Sequence, residues 1–530
     1  MFKGTSQPST AGERSRRSRR ALAGVAAALV IAASGAVDAT TPPDTAGVSA
    51  GDGSTPGGVL RFGWGVAPTH LDPHLASSSQ DITQLAPTYD RLIHQSPEGD
   101  PVPGLSIEWE LSADGLTLDL TLREGVLFHD GTPFDAEAVR ANIERGQTLE
   151  GSAAASDLSL IDTVEVVDPL HARLHLSAPG GALLGVLSDR PGMMISPAAF
   201  DTDLDSQPVG TGMYRVVEYV PGAEVRYERF EDYWDPAAAL LDEIVIVTQS
   251  DPQTRYNAVQ SGQLDAAEVT PNEVESAEGA GLSIISGNQL QYLQVQLNRT
   301  KSHFDDVRVR QALNIAIDRV AMAESLGNGY YTPVLQPFPD GYWAHDPDTP
   351  LDFYPYDPDR ARALLAEAGL PDGFEFEAIV PTLPSVVVLA QSVQAYFADV
   401  GVTMNLRQVD PAQSTELFFA SEESDAAVFG CACRPDPWQT VYQMFSADSF
   451  SNPGGHSTPE IEALIAQSAE SADVVERAPV FHELSRLIVE EAMDVPVYSF
   501  QRVYVHDGTL TGFITYIHGK PEFRGVSLSG

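Results

Sequence analysis

Leu116, Leu118, Leu120 and Leu122 alternate with Thr117, Asp119 and Thr121, the period of a strand with one buried face. Asp114-Gly115 supplies turn chemistry just before them and pairs that strand with one at 107–111. Leu174 and Leu176 alternate with Arg173 and His175, and 225–229 and 244–247 also read as strands. Other stretches follow the helical period. Asp357 suits an N-cap, Pro358 the first helical position, and Ala361, Leu364, Leu365 and Ala368 form one apolar face. Gly369 closes that helix and Pro371 blocks its continuation. Thr458-Pro459 opens a similar helix through Ile461, Leu464 and Ile465, and single helices are expected over 307–326 and 386–400. Strands and helices mixed through the whole chain, with no repeat of solenoid period, define an α/β protein.

The N-terminus has a different character. Arg14, Arg16, Arg17, Arg19 and Arg20 precede an apolar run over 22–36, and Val37-Asp38-Ala39 offers small residues for cleavage. That order reads as an export signal over 1–39, with Ser18-Arg19-Arg20 where a twin-arginine signal would carry its pair. An uncleaved anchor is the alternative, although the run is short for a membrane span. No Cys lies nearby to take a lipid. Residues 40–58, rich in Pro, Gly, Ser and Thr, form a flexible spacer, and the folded body begins at Val59. The body is therefore expected in the periplasmic or extracellular space.

Charge narrows the partners. The 530 residues carry a formal net charge of −43, which repels nucleic acid and anionic membranes alike. Only three of the 31 basic residues are lysines, at 3, 301 and 520. A core this long favours two or more lobes. Catalytic motifs fail in context. Gly47-Val48-Ser49-Ala50-Gly51 has no strand before it and no helix after it. Asp201-Thr202-Asp203-Leu204-Asp205 resembles the start of a calcium loop but lacks the turn glycine and the final glutamate. No zinc, P-loop or dinucleotide motif is present, so neither metal nor cofactor nor catalytic residue is assigned.

Several segments, in order, resemble one family. They are Leu71-Asp72-Pro73, Trp109 with Asp114-Gly115-Leu116, and Leu122-Arg123-Glu124-Gly125-Val126 leading to Phe128-His129-Asp130-Gly131-Thr132-Pro133. Val209-Gly210-Thr211-Gly212-Met213-Tyr214, Asp232-Tyr233-Trp234 and Ser261-Gly262-Gln263-Leu264-Asp265 follow, then 306–319 and 363–369. Over about 59–515 the chain is similar to the family 5 extracellular solute-binding proteins of ABC importers, which bind oligopeptides, dipeptides or nickel chelates. The resemblance implies two lobes joined by a hinge, lobe I over 59–289 plus 493–530 with an extra subdomain near 91–207, and lobe II over 290–492. It implies a monomer that encloses a small-molecule or peptide ligand and docks on a membrane permease, without chemistry on the ligand. The motifs themselves read mostly as scaffold: Trp109 and Trp234 as core or turn packing, Asp318 and Arg319 as helix surface or a scaffold ion pair.

One segment departs from the family. Peptide binders carry a stretch like W-x-A-D-Y-x-D-P, whose first Asp meets the peptide ammonium. Here it reads Gly430-Cys431-Ala432-Cys433-Arg434-Pro435-Asp436-Pro437-Trp438, with Cys433 at that Asp. A neutral Cys leaves a buried ammonium without a countercharge, unless Asp436 compensates. Arg434 suits a carboxylate or faces solvent. Cys431 and Cys433 read as two small apolar thiols rather than as a strained C-x-C bridge. Arg190, by its similarity to a chelate-binder segment, is a second anion contact, and Trp438, Trp64 and Tyr292 are aromatic candidates for the cleft wall. Peptide-like solutes lead, a carboxylated metal chelate or other anion stays open, and a secreted hydrolase is the alternative of another class.

Overall fold

The computed structural model describes residues 57–529 except 432. The export signal, most of the spacer and the Gly47–Gly51 match lie outside these residues.

The alternating segments become strands with their leucines inward, except Leu116, which precedes its strand and is exposed. Ser106–Leu111 and Thr117–Leu122 pair antiparallel, and His171–Leu176 and Ile161–Asp168 complete a four-stranded sheet. Leu118, Leu120, Leu122 and Leu174 sit in one core with Val139 and Ile143 of the helix Ala136–Thr148. Burying four leucines contributes roughly 6–12 kcal/mol of gross hydrophobic free energy to this subdomain.

Two larger sheets form the body. One has seven strands in the order Ser283–Gly287, Arg502–His506, Ala266–Val269, Val59–Trp64, Glu243–Thr248, Glu224–Arg229 and Tyr214–Val220. Its central strand, Val59–Trp64, runs parallel to both neighbours. The other has six, in the order Tyr331–Pro333, Val495–Phe500, Tyr292–Leu297, Ala426–Gly430, Phe374–Pro381 and Val402–Val409. Each sheet has its own apolar core. The chain crosses from the first sheet to the second between Gly287 and Tyr292, and returns through Gln501. Two short crossings between two cored lobes make a hinge, since few backbone torsions need change to reorient one lobe on the other.

Caps set the helices. Asp357 accepts from Arg360 N at 2.9 Å and opens Pro358–Glu367, and Thr458 accepts from Ile461 N at 3.2 Å and opens Pro459–Gln467. The single helix expected over 307–326 is two, Val307–Ile315 and Arg319–Gly327. Asp318 causes the break: its backbone is extended, and its carboxylate caps the second helix by accepting from Ala321 N at 2.9 Å. Arg319 is not a surface residue. It is buried and donates to Pro496 O at 2.8 Å and to Asn314 O and Oδ1 at 2.9 and 2.6 Å, with no acid as partner among the described residues. Burial pulls its guanidinium down to about 9.

The other motifs also serve the frame. Asp72 binds Arg145 at 2.5 Å, while Asp205 of the calcium-like run accepts from His70 Nδ1 and Leu71 N at 2.8 Å. Trp234 donates to Asp90 at 2.6 Å beneath the guanidinium of Arg123, 3.9 Å from the ring. Gly212 is there for space: a Cβ on it would stand 2.5 Å from the carbonyl carbon of Thr88.

Candidate ligand-binding site

The departing segment runs on from the strand Ala426–Gly430. Cys431 N donates to Tyr292 O at 2.8 Å, which extends the sheet register by one residue. Cys431 and Cys433 are bridged as a disulfide, with Cα atoms 5.3 Å apart, inside the range such bridges span. The expectation of two separate thiols is thereby corrected.

Asp436 caps that helix, Pro437–Phe445, by accepting from Trp438 N at 2.8 Å, with Pro437 at the first helical position. Both carboxylate oxygens of Asp436 also receive Arg477, Nη1 and Nη2 each at 2.7 Å. The pair is buried on both sides. Asp436 is therefore buried and its charge is already neutralised by Arg477, so it does not stand as a free countercharge for a ligand ammonium in place of the missing Asp.

Arg434 lies between the bridge and this cap. Its backbone N–H donates to Thr440 Oγ1 at 3.1 Å, and its guanidinium has no acid partner among the described residues. Across from it, Asp189 caps the short turn Arg190–Gly192. Arg190 is buried, donates through Nη1 to Ala76 O, and holds Nε 3.8 Å from Asp189 without a hydrogen-bond partner.

A third cation arrives from the C-terminal segment, where sequence patterning offered no signal. Lys520 N donates to His518 Nδ1 at 3.1 Å, His518 Nε2 lies 3.0 Å from Glu522, and Glu522 accepts from Arg91 at 2.5 Å. That chain of contacts fixes the turn carrying Lys520, whose amine has no partner among the described residues.

Ser77, Ser79, Gln80, Arg190, Gln289–Gln291, Cys431, Cys433, Arg434, His518 and Lys520 together line one cavity of about 210 Å³. It lies beside the chain's first crossing between the sheets, with walls from both lobes and from the C-terminal segment. The lobes also touch directly: Gly181 N donates to Ala469 O at 2.8 Å, and Gly185 packs on Asp436.

The electrostatics favour an anion. Burial raises the Asp189 carboxyl, but Arg190 and Arg434 outweigh it and hold it below the usual range. Burial pushes the nearby Asp157 up. Burial pulls the Lys520 amine down to about 8; Asp189 opposes this, while Arg502, Arg190 and Arg434 add to it. Three cations thus line the cavity, and the acids beside them, Asp189 and Asp157, stand outside its lining.

Arg190, Cys433 and Arg434 line this cavity; the other sequence candidates do not. Trp438 stacks on Tyr442, centroids 4.9 Å apart, and donates to Ile465 O at 3.2 Å. The phase of the capped helix puts its ring against the next turn rather than into the cleft. Trp64 is buried in the lobe I core, with Arg502 5.6 Å from its ring. Tyr292 is buried in lobe II, its hydroxyl 3.8 Å from Met444 Sδ.

Two lobes on a two-crossing hinge, closed over a small polar cavity, define a hinged solute-binding protein. Residues 100–452 match the middle region of the bacterial extracellular solute-binding proteins, family 5, and the chain belongs to that family. The glutathione-binding protein GsiB of Pectobacterium atrosepticum is 28% identical over 469 residues, covering 84% of this chain and 89% of its own. HbpA2 of Haemophilus parasuis superposes with a TM-score of 0.79 at 25% identity, over 89% of this chain and 100% of its own. NikA of Brucella suis, in complex with Fe(III)-EDTA, gives 0.78 at 25% identity, over 89% and 100%. The protein is thus a substrate-binding component of ABC transport. No helix among the described residues is long and apolar enough to cross a membrane.

Proposed function

We propose that this protein captures a small acidic peptide-like solute outside the cytoplasm and delivers it, as a monomer, to an ABC permease. One observation carries the reading. Arg190, Arg434 and Lys520 converge on one cavity, and among the described residues neither the Arg434 guanidinium nor the Lys520 amine is in hydrogen-bond or ion-pair contact with the neighbouring acids Asp157 and Asp189. A free carboxylate supplies the acceptors these donors lack. The amine end finds no dedicated acid, because Cys433 stands at that position and Asp436 is bound to Arg477. The relationship to a glutathione-binding protein, whose named ligand is an acidic tripeptide, agrees with this chemistry.

The cavity also argues for carrying rather than transforming. His518 is the one imidazole in its lining, and both ring nitrogens are engaged, with Lys520 N and Glu522. It is not free to serve as base for Ser77 or Ser79.

Calorimetric titration with S-methylglutathione and with its dimethyl ester tests the proposal. The free acid binds, and the ester binds at least ~10-fold more weakly, since hydrogen bonds to charged groups contribute about 1.5–3 kcal/mol each. Arg434→Ala and Lys520→Met each weaken the acid and leave the ester unchanged. Equal binding of acid and ester overturns the reading. A ferric aminopolycarboxylate that binds in place of either peptide transfers the same cations to a chelate.

A further inference from the structure

The cavity contains one group that capture of an anion does not require. A disulfide forms part of its wall, with both sulfur-bearing residues among the lining and Arg434 next in sequence. The two halves of the bridge differ. Cys431 is 2% exposed inside an apolar cluster with Phe338, Val441 and Phe445, whereas Cys433 packs on the edge of the same cluster and is only partly buried. Three cations share the cavity with it.

We propose that the Cys431–Cys433 bridge is a reversible covalent docking point for a thiol-bearing acidic peptide. The inference rests on the acidic-solute reading above and extends it to the side chain of the solute. Arg190, Arg434 and Lys520 hold the carboxylates and favour the thiolate of the solute over its thiol. The thiolate sulfur attacks Sγ of Cys433, the less buried of the two residues. A new sulfur–sulfur bond forms between solute and Cys433, the Cys431–Cys433 bond breaks, and the electron pair leaves on Cys431 Sγ, which takes up the proton the solute thiol gave to water. No external oxidant or reductant is consumed, because one disulfide replaces another.

The burial of Cys431 sets the direction. An apolar surrounding disfavours a thiolate there, so Cys431 is a poor leaving group, and once deprotonated it attacks the adjacent mixed disulfide. Closure of the bridge expels the solute with its thiol restored. Capture is therefore transient, as a protein that must release its cargo requires. The chemistry also selects: a peptide of equal charge without a thiol gains only the ionic contacts.

Intact-mass spectrometry after rapid mixing and acid quench tests this on the full oxidised protein. With glutathione, a species heavier than the oxidised protein by one whole glutathione appears, and the attachment maps to Cys433. In Cys431→Ser, whose lone Cys433 reacts with glutathione disulfide, the adduct persists because no neighbouring thiol can expel it. Cys433→Ser gives no adduct. Glutathione binds at least ~10-fold more tightly than S-methylglutathione, and the difference vanishes in the Cys431→Ser/Cys433→Ser double variant. S-methylglutathione binding without any glutathione adduct overturns the docking proposal and leaves the acidic-solute reading standing. Failure of S-methylglutathione to bind overturns the acidic-solute reading, and the docking proposal with it. Equal adduct formation with cysteamine, a cationic thiol, also overturns the proposal, because it shows reactivity without recognition.

Discussion

Gly185 offers a direct perturbation of lobe closure. It lies in the buried helix Leu183–Leu187 of the lobe I subdomain and faces the residue that caps a lobe II helix. A Cβ at this position would stand 2.3 Å from Asp436 Cβ and 3.0 Å from Asp436 N. Carbon–carbon contacts settle at ~3.5–4.0 Å, so the subdomain must retreat by about 1 Å or more for Gly185→Ala to close. Overpacking of this kind costs ~1–3 kcal/mol. The cost falls on the closed arrangement alone, because a lobe swung away about the hinge leaves the methyl unopposed. A penalty confined to the binding-competent state reappears in the apparent affinity, which should fall ~5–150-fold. Calorimetry with S-methylglutathione measures the affinity, and small-angle scattering of the unliganded protein should show a larger radius of gyration. The denaturation midpoint should hardly move, since alanine is intrinsically the better helix residue by about 1 kcal/mol. Unchanged affinity, or a loss of affinity matched by a loss of global stability, refutes the reasoning.

Three further outcomes are expected. Asp436→Asn removes the charge that neutralises buried Arg477 and should destabilise the fold by ~3–5 kcal/mol in urea denaturation; a midpoint within error of the parent contradicts the structural role given to this carboxylate. Anion affinity should be constant below pH 8 and decline as pH rises past about 8, because bound carboxylate favours protonated Lys520 and the unliganded amine titrates there; Asp189 is held below the usual carboxylate range and does not change here, so a pH titration of Lys520→Met should show no such decline. Gly212→Ala places a methyl 2.5 Å from the Thr88 carbonyl carbon and 2.6 Å from Pro87 O; thermal unfolding should reveal ~1–3 kcal/mol of lost stability, and an unaltered transition would mean that the glycine is not needed for close approach.

The frame was more legible than the site, for a physical reason. Alternation at Leu118, Leu120 and Leu122 and the caps at Asp357 and Thr458 are local signals, and local chemistry executes them. The break at Asp318 is equally local, an N-cap inside an apolar run, but the run continues on both sides of it and so reads as one helix. The cavity has no such signature. Its cations come from residues 190, 434 and 520, which only the packing of three distant segments brings together. Arg434 was visible because its motif departed from the family pattern, and Arg190 because of a short likeness. Lys520 sits in an irregular segment whose path is set by Arg91 and Glu522, so no periodicity marked it. Trp438 was misplaced for the converse reason. Proximity to a binding motif says nothing about helix phase, and the cap at Asp436 turned the indole onto Tyr442.

The strand Arg502–His506 lies between Ala266–Val269 and Ser283–Gly287, so Ala266 meets His506 across the sheet. The neighbouring strand Val495–Phe500 holds a similar interior place in the other sheet, beside Tyr292–Leu297. Neither lobe can therefore complete its sheet until the chain beyond residue 495 has emerged. A ribosome or translocon that feeds the chain out from its N-terminus keeps both half-built sheets open, with unpaired strand edges, through most of synthesis. Folding of the two lobes is thus coupled in time by the same short stretch that joins them in space, and holding chaperones would find their longest window of action before that stretch arrives.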